Sequence, residues 1–491
     1  MNSFGLISSA IPQLMKPVIR FALFFAITLI GFSANAQSTW TLQQCIDRAL
    51  QYNLQIRQSE LSEDLAKAQV EQSTASFFPS INGSAGQNYY FGRSIDPYTN
   101  SYTTQQVQSN SFSVSGSMPL FEGLQMQNTL KQSKLNYMSS QFDLKKIKND
   151  ISLNVVSDYL SVLYNQELMA VSSSQVDASA IQRDKMKRMY ELGSVNKGNY
   201  LDMESQLATD QLRLIQSQSQ FDQAVLSLTQ LLELDTVKGF VVQKPDVIVP
   251  AVDAAAFNTE VVYASALTNQ PEIKSSEYKV ASAEKGLSIA KGYRYPRINL
   301  SGSISTSYST SSKQIESFTY GVPTSTFSGF TSGGDSVYLV SPNVTPVYGE
   351  TPFSKQFNDN LGKSVGINLS LPIFNGWQTR TGVKRALINL EQTRLTHELT
   401  KKTLYKSVQQ AVADAAAAQR KYEAGQRNVD ALTESFNFNE QRLNLGLIST
   451  YDYLQAKNNL AKAQADLLQA KYEFIMRLKI LDFYQGKPLT F

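Results

Sequence analysis

The sequence predicts a mostly α-helical chain with four β-strands, built by internal duplication. Its strands complete a twelve-stranded membrane β-barrel only when three copies share it, and its long helices form an α-helical barrel beyond the membrane. Three observations carry this. The stretch SFSVSGSMPLFEGLQMQNTL (111–130) passes from strand alternation to a helix at a Pro-x-Phe-x-Gly step, and SVGINLSLPIFNGWQTRTGV (364–383) repeats it. Four segments alternate apolar residues with Ser, Asn or Gly. Two proline-free runs, about 123–192 and 376–445, are long enough for helices of ~105 Å at about 1.5 Å per residue.

The N-terminus gives the address. Lys16 and Arg20 precede the apolar run Phe21–Phe32, and Ala34-x-Ala36 offers a cleavage site, so residues 1–36 read as a secretory signal peptide; Met15 is the more ordinary start. Beyond Gln37 no run of ~18 apolar residues exists, which leaves no α-helical membrane span. The formal charge of +4 loses Lys16 and Arg20 with the signal and falls to +2, which argues against a nucleic-acid partner. One cysteine, Cys45, excludes an intramolecular disulfide. With a single His, His397, it makes a clustered soft-metal site unexpected, and His397 is expected on a solvated helix surface. No phosphate loop, G-x-S-x-G or H-E-x-x-H motif is present, so neither catalytic residues nor a cofactor are expected.

The duplication has a countable register. ALQYNLQI (49–56) matches ALTNQPEI (266–273) and FFPSINGSAG (77–86) matches RYPRINLSGS (294–303), both offset by 217. MPLFEG (118–123) matches LPIFNG (371–376), and Gly193 matches Gly446, both offset by 253. The first repeat spans 37–250 and the second 251–491. The extra residues of the second fall within 309–362, a Ser-, Thr-, Gly- and aromatic-rich segment expected as a long surface loop.

Each repeat opens with a helix, about 41–76 in the first, and then crosses the membrane twice. Strands are expected at about 80–92, 110–119, 296–308 and 363–372. Ile81, Ala85 and Tyr89, then Phe112, Val114 and Met118, then Ile298, Leu300 and Ile304, then Val365, Ile367 and Leu369 share one face; Ser and Asn hold the other. Export, strand lengths near the ~9–11 residues that cross a bilayer obliquely, and aromatic residues near the strand ends point the apolar face to lipid. Four strands cannot close a barrel, and an open edge in lipid costs several kcal/mol per unpaired group. Three chains supply twelve. The helices return at about 199–233 and 450–482, where Leu207, Leu214, Phe221 and Leu228 map onto Leu460, Leu467, Phe474 and Leu481, a duplicated heptad of coiled-coil type. Pro119 and Pro372 are expected to end the strands, Gly123 and Gly376 to bend the chain into the long helices, and Pro79 and Pro296 to mark the return crossings.

These paired exit motifs, the start TLQQCIDRAL-x-YN, and the turns YELGSVNKGNYLDMESQLATDQ and LNLGLISTYDYLQAKNNLAKAQ together resemble the TolC family of outer-membrane efflux proteins over essentially the whole mature chain. The resemblance implies a trimeric channel-tunnel: a barrel in the outer membrane, a helical barrel through the periplasm, and a mixed equatorial belt. The belt would come from about 235–262, with Pro245 and Pro250, and from 483–491. It implies an exit duct for tripartite efflux or type I secretion, fed by an RND-type or ABC-type inner-membrane transporter through a periplasmic adaptor. The adaptor would meet the tip turns at Gly193, Ser194 and Val195 and at Gly446, Leu447 and Ile448. Asp452 matches an acidic aperture position, with Gln455, Asn199 and Asp202 around it; Leu443 and Ile448 stand where the family carries partners of a charge latch. From the residues themselves, Gly193 and Gly446 suit helix C-caps and Ser449–Asp452 reads as a capping box. A structural or adhesive surface protein working through 309–362 is the alternative; an exported hydrolase has no residues to support it.

Overall fold

The computed structural model describes residues 39–95, 100–104, 106–237, 239–245 and 258–490. Residues 1–36, expected as a signal peptide, and Pro250 lie outside these residues. The elements run in chain order as α1 (Leu42–Tyr52), α2 (Leu54–Ala75), β1 (Ser80–Tyr90), β2 (Val107–Glu122), α3 (Gln125–Glu191), α4 (Lys197–Leu231), α5 (Thr259–Asn269), α6 (Pro271–Gly292) and β3 (Arg297–Ser309). After these come β4 (Lys313–Tyr320), β5 (Thr324–Phe330), β6 (Ser336–Ser341), β7 (Val344–Glu350), α7 (Phe353–Asp359), β8 (Gly362–Ser370), α8 (Gln378–Asn444) and α9 (Thr450–Gln485).

The duplication survives in three dimensions. α3 and α8 are each 67 residues long and begin 253 residues apart. The opening helix is not one rod. It breaks at Asn53 between α1 and α2, and its duplicate breaks at Gln270 between α5 and α6, with both breaking residues in extended conformation. Pro271 accounts for the second break, since it disfavours helix at the residue before it and suits a first helical position. At the first, Asn53 takes over with its side chain, accepting from Gln55 N at 3.0 Å and donating to Leu231 O at 3.3 Å.

Two compact units emerge. The first runs to Ser59, then Leu144–Gln270, then from Lys401 on. Its core gathers Leu42, Cys45, Ile46 and Ala49 of α1, Val155, Tyr159 and Leu163 of α3, Val225 and Leu228 of α4, and Ile475 of α9. Thr39–Trp40 pairs in parallel with Val241–Val242, and the Tyr159 hydroxyl donates to Gln243 O at 2.5 Å, so part of the expected belt sits on this core. Residues 483–485 belong to α9, which ends at Gly486 with φ +72°, a left-handed cap. Cys45 is fully buried and its thiol is pushed up to about 12 by desolvation, which keeps it unreactive.

The second unit, Glu60–Asp143 with Pro271–Thr400, carries the sheet. Its order is β8-β3-β2-β1, antiparallel throughout, with β8 and β1 as open edges among the described residues. Pro119 does not end β2. The strand continues to Glu122, with a bulge between Pro119 and Phe121. β1 already stops opposite Ser117, so Pro119 sits where β2 has a neighbour on one side only, a position that tolerates a missing N–H. At the other end β8 stops at Ser370, two residues before Pro372.

The segment 309–362 is not an irregular loop. β4 pairs with β7 and β5 with β6, making a two-stranded ribbon, and α7 follows it. Gln356 of α7 is buried and ties the helix down, donating to Ser309 O at 3.0 Å and Thr351 O at 2.8 Å. His397 is half-buried rather than solvated, with Nδ1 2.7 Å from the Ser276 hydroxyl.

Candidate functional site

The sheet registers put chemistry into rows. Ser80, Ser117, Ser301 and Gly366 lie side by side across four strands; so do Asn82, Ser115, Ser303 and Ser364, and then Ser84, Ser113, Ser305 and Gly362. Facing hydroxyls bond directly, Ser84 to Ser113 and Ser303 to Ser364, both at 2.8 Å. Small side chains that satisfy one another leave room above them, which suits the wall of a wet conduit. The opposite face sets Val114 beside Ile304, Leu300 between Met118 and Ile367, and Ile298 beside Leu369. Ile367 and Leu369 are exposed, as a lipid-facing surface requires.

Aromatic groups bracket this apolar band. At the ribbon end Phe353 and Phe357 of α7 pack on Phe112, with ring centroids at 6.3 and 6.0 Å, and Tyr308 meets Phe353 at 5.4 Å. At the helix end stand Tyr293, Tyr295, Phe374 and Trp377, with Arg380 over the Trp377 ring at 4.2 Å.

The junctions use a device wider than the expected glycine. Gly123 has φ +60° and Leu124 φ +61°; their duplicates Gly376 and Trp377 have φ +60° and +64°. Two consecutive left-handed residues turn the strand into the helix, and the second is not glycine in either repeat, at a cost of roughly 1–2 kcal/mol. Pro79 and Pro296 stand one residue before β1 and β3, where the sequence placed them.

At the far end of α3 and α8, both turns are Schellman caps. Gly193 N donates to Tyr190 O and Ser194 N to Met189 O, each at 2.9 Å; Gly446 N and Leu447 N repeat this to Leu443 O and Arg442 O. Asn196 caps α4 by accepting from Asn199 N at 2.9 Å. Ser449 and Asp452 form the expected capping box on α9, Asp452 N donating to Ser449 Oγ at 3.2 Å. Asp452, Gln455 and Asp202 are exposed and Asn199 is half-buried. Val195 and Ile448 differ from the rest of the turns. They pack, with Leu443, against a small core of Met186, Met203 and Tyr453 that joins the two turns. Leu443 and Ile448 thus make apolar contacts, with no charge between them.

One group of residues escaped the sequence reading. Lys457 of α9 bonds Asp210 of α4 at 2.7 Å, and Ser179 of α3 touches both. Gln206 donates to Asp210 Oδ1 at 3.0 Å and exchanges bonds of 3.2 Å with Asn458. Asp210 is 2 % exposed. The signal was present: Asp210 lies three residues after Leu207 and four before Leu214, on the heptad seam, and Lys457 lies three before Leu460.

The chain matches the outer membrane efflux protein family over residues 45–233 and 262–486, one stretch in each repeat. It is 20% identical over 455 residues to the outer membrane efflux protein BepC of Brucella suis, covering 92% of this chain and 87% of that protein. It is 21% identical over 469 residues to the outer membrane protein TolC of Escherichia coli, covering 92% and 83%. The CmeC outer membrane channel of Campylobacter jejuni superposes with a TM-score of 0.72 at 16% identity, covering 91% of this chain and 85% of that one. At that identity the likeness establishes the fold, a mostly helical channel-tunnel with β elements.

Proposed function

The chain belongs to the outer membrane efflux protein family, and on that premise we propose that three copies form one passive exit duct across the outer membrane and periplasm. The observation that carries this is the sheet: hydroxyl rows on one face, a bare apolar face on the other, and two open edges. Backbone groups on an open edge in lipid stay unpaired at several kcal/mol each, so the edges must meet other copies. The duct serves a tripartite efflux pump or a type I secretion system. An RND-type or ABC-type inner-membrane transporter supplies the energy and selects the cargo, and a periplasmic adaptor joins the two. Walls of Ser, Asn and Gly discriminate little among small molecules or polypeptides. The chain acts as a conduit rather than an enzyme.

The tip turns, Gly193–Val195 and Gly446–Ile448, are the adaptor contacts in this reading, through the exposed Ser194 and Leu447 more than the packed Val195 and Ile448. Asp452, with Gln455, Asn199 and Asp202, rings the periplasmic aperture. Like charges gathered on one axis attract cations and bind multivalent ones. Closure rests on the Met186–Met203–Tyr453 core and not on a charge latch.

Planar-bilayer recording tests this reading. The purified protein should give discrete, cation-preferring steps with multivalent-cation block from the periplasmic side. In Asp452→Asn both the preference and the block should weaken while resting conductance rises little. Absence of any conductance step would sink the duct; unchanged selectivity and block in the variant would reduce Asp452 to a helix cap.

A further inference from the structure

The duplication can be used as a template for what a single chain leaves unpaired. β1 meets β2 at Ser80↔Ser117; shifting these by 217 and 253 gives Arg297↔Ser370, the pair observed between β3 and β8. Both hairpins therefore keep one register. The joint between hairpins is β2 against β3, the exit strand of the first repeat on the entry strand of the second. Among the described residues β8, the exit strand of the second repeat, has no strand in that relation to it.

Three marks show what is missing. β2 remains a strand through Glu122, where β3 pairs with it at Phe121↔Ile298 and Glu122↔Arg297; its duplicate, Leu371 to Asn375, has no partner and is not a strand. Phe121 and Ile298 are half-buried, whereas their duplicates Phe374 and Ile81 are 78% and 70% exposed. Around Gly123 an added Cβ would lie 2.4 Å from Gly292 O and 2.8 Å from Tyr295 Cβ, so the α6–β3 turn closes over this junction. Around Gly376 an added Cβ meets nothing within 4 Å.

We infer that β8 receives β1 of a second copy in one defined register: Leu371 opposite Gly83, Ser370 opposite Ser84, Asn368 opposite Gly86 and Ile367 opposite Gln87. These pairs are Met118↔Leu300, Ser117↔Ser301, Ser115↔Ser303 and Val114↔Ile304 carried through the two offsets. Past the bulge, Phe374 meets Ile81, and the second copy's α2–β1 turn, Ala75 to Phe78, closes over Gly376 as Gly292 to Tyr295 closes over Gly123. β1 runs antiparallel to β8, so the up-and-down alternation continues across the seam. Leu371 to Asn375 becomes strand on assembly, which covers Ile373, 92% exposed in the single chain. The inference rests on the shared-barrel reading and adds the residues that make the seam.

Disulfide trapping tests it in the full-length protein with Cys45 replaced by Ala. Ser370→Cys and Ser84→Cys are introduced together. Within one sheet these edges are about 14 Å apart at ~4.8 Å per strand, so any disulfide between them joins two copies. Mild oxidation of purified protein should convert it to covalent oligomers at least tenfold faster than the shifted pairs Ser370→Cys/Ser80→Cys and Ser370→Cys/Asn88→Cys. Equal or faster trapping of a shifted pair overturns the register. Failure of every pair in a protein whose native mass is that of several chains places another surface at the seam and overturns the inference while the shared barrel stands. A monomeric native mass with no trapping removes the shared barrel itself.

Discussion

Asp210→Ala should destabilise the helical part of the chain by about 3–5 kcal/mol, as much as truncating a large core side chain. Asp210 is 2% exposed and Lys457 8%, and Lys457 Nζ lies 2.7 Å from Asp210 Oδ2. Removing the carboxylate strands an ammonium among α3, α4 and α9 beside Ser179, with a hydroxyl in place of a counter-charge. Removing both charges has a different cost. Asp210→Leu with Lys457→Met replaces the pair by apolar groups on a heptad seam and should return to within about 1–2 kcal/mol of the parent, since buried pairs repay little beyond their own desolvation. Guanidinium unfolding of detergent-solubilised protein, followed by helical circular dichroism, measures both. If the double variant is as unstable as Asp210→Ala, the loss is one of packing and the ion pair is incidental.

Ile367→Arg should block assembly, because it places a guanidinium in the apolar row beside Leu300 at a cost of about 2–4 kcal/mol near the bilayer midplane. Repeated in three copies of one barrel, that cost is tripled. Ser303→Arg, one strand away in the hydroxyl row, points to the other face and should assemble normally with reduced conductance. Heat-resistant oligomer on gels of outer-membrane preparations separates the two. Equal loss in both variants would show that the faces are reversed or that the sheet does not meet lipid.

Much of this was written in local patterns. The four strands, the two long helices and both tip turns follow from a period of two, from long proline-free runs, from Gly at left-handed caps, and from a capping box at Ser449–Asp452, all short-range causes. The duplication then checked each reading against a second copy. What the pattern could not show depends on neighbours. Pro119 looked like a strand end, yet pairing with β3 carries β2 past it, whereas Leu371 to Asn375, with the same motif and no neighbour, stays irregular. The uncharged stretch Ser317–Gly334 looked like loop because its Ser, Thr and Gly content masks alternation that closes a ribbon through β4–β7 pairing. Asp210 and Lys457 were hidden for another reason: a charge on a heptad seam reads as an exposed position until its partner on another helix is known.

One chain is a fraction of a barrel, and its native mass in detergent decides the matter. Chain length after signal removal predicts about 50 kDa per copy. A single species of three chains, stable to dilution, is expected, because each missing copy would leave two sheet edges unpaired in the membrane. A monodisperse monomer that still conducts in bilayers would contradict it.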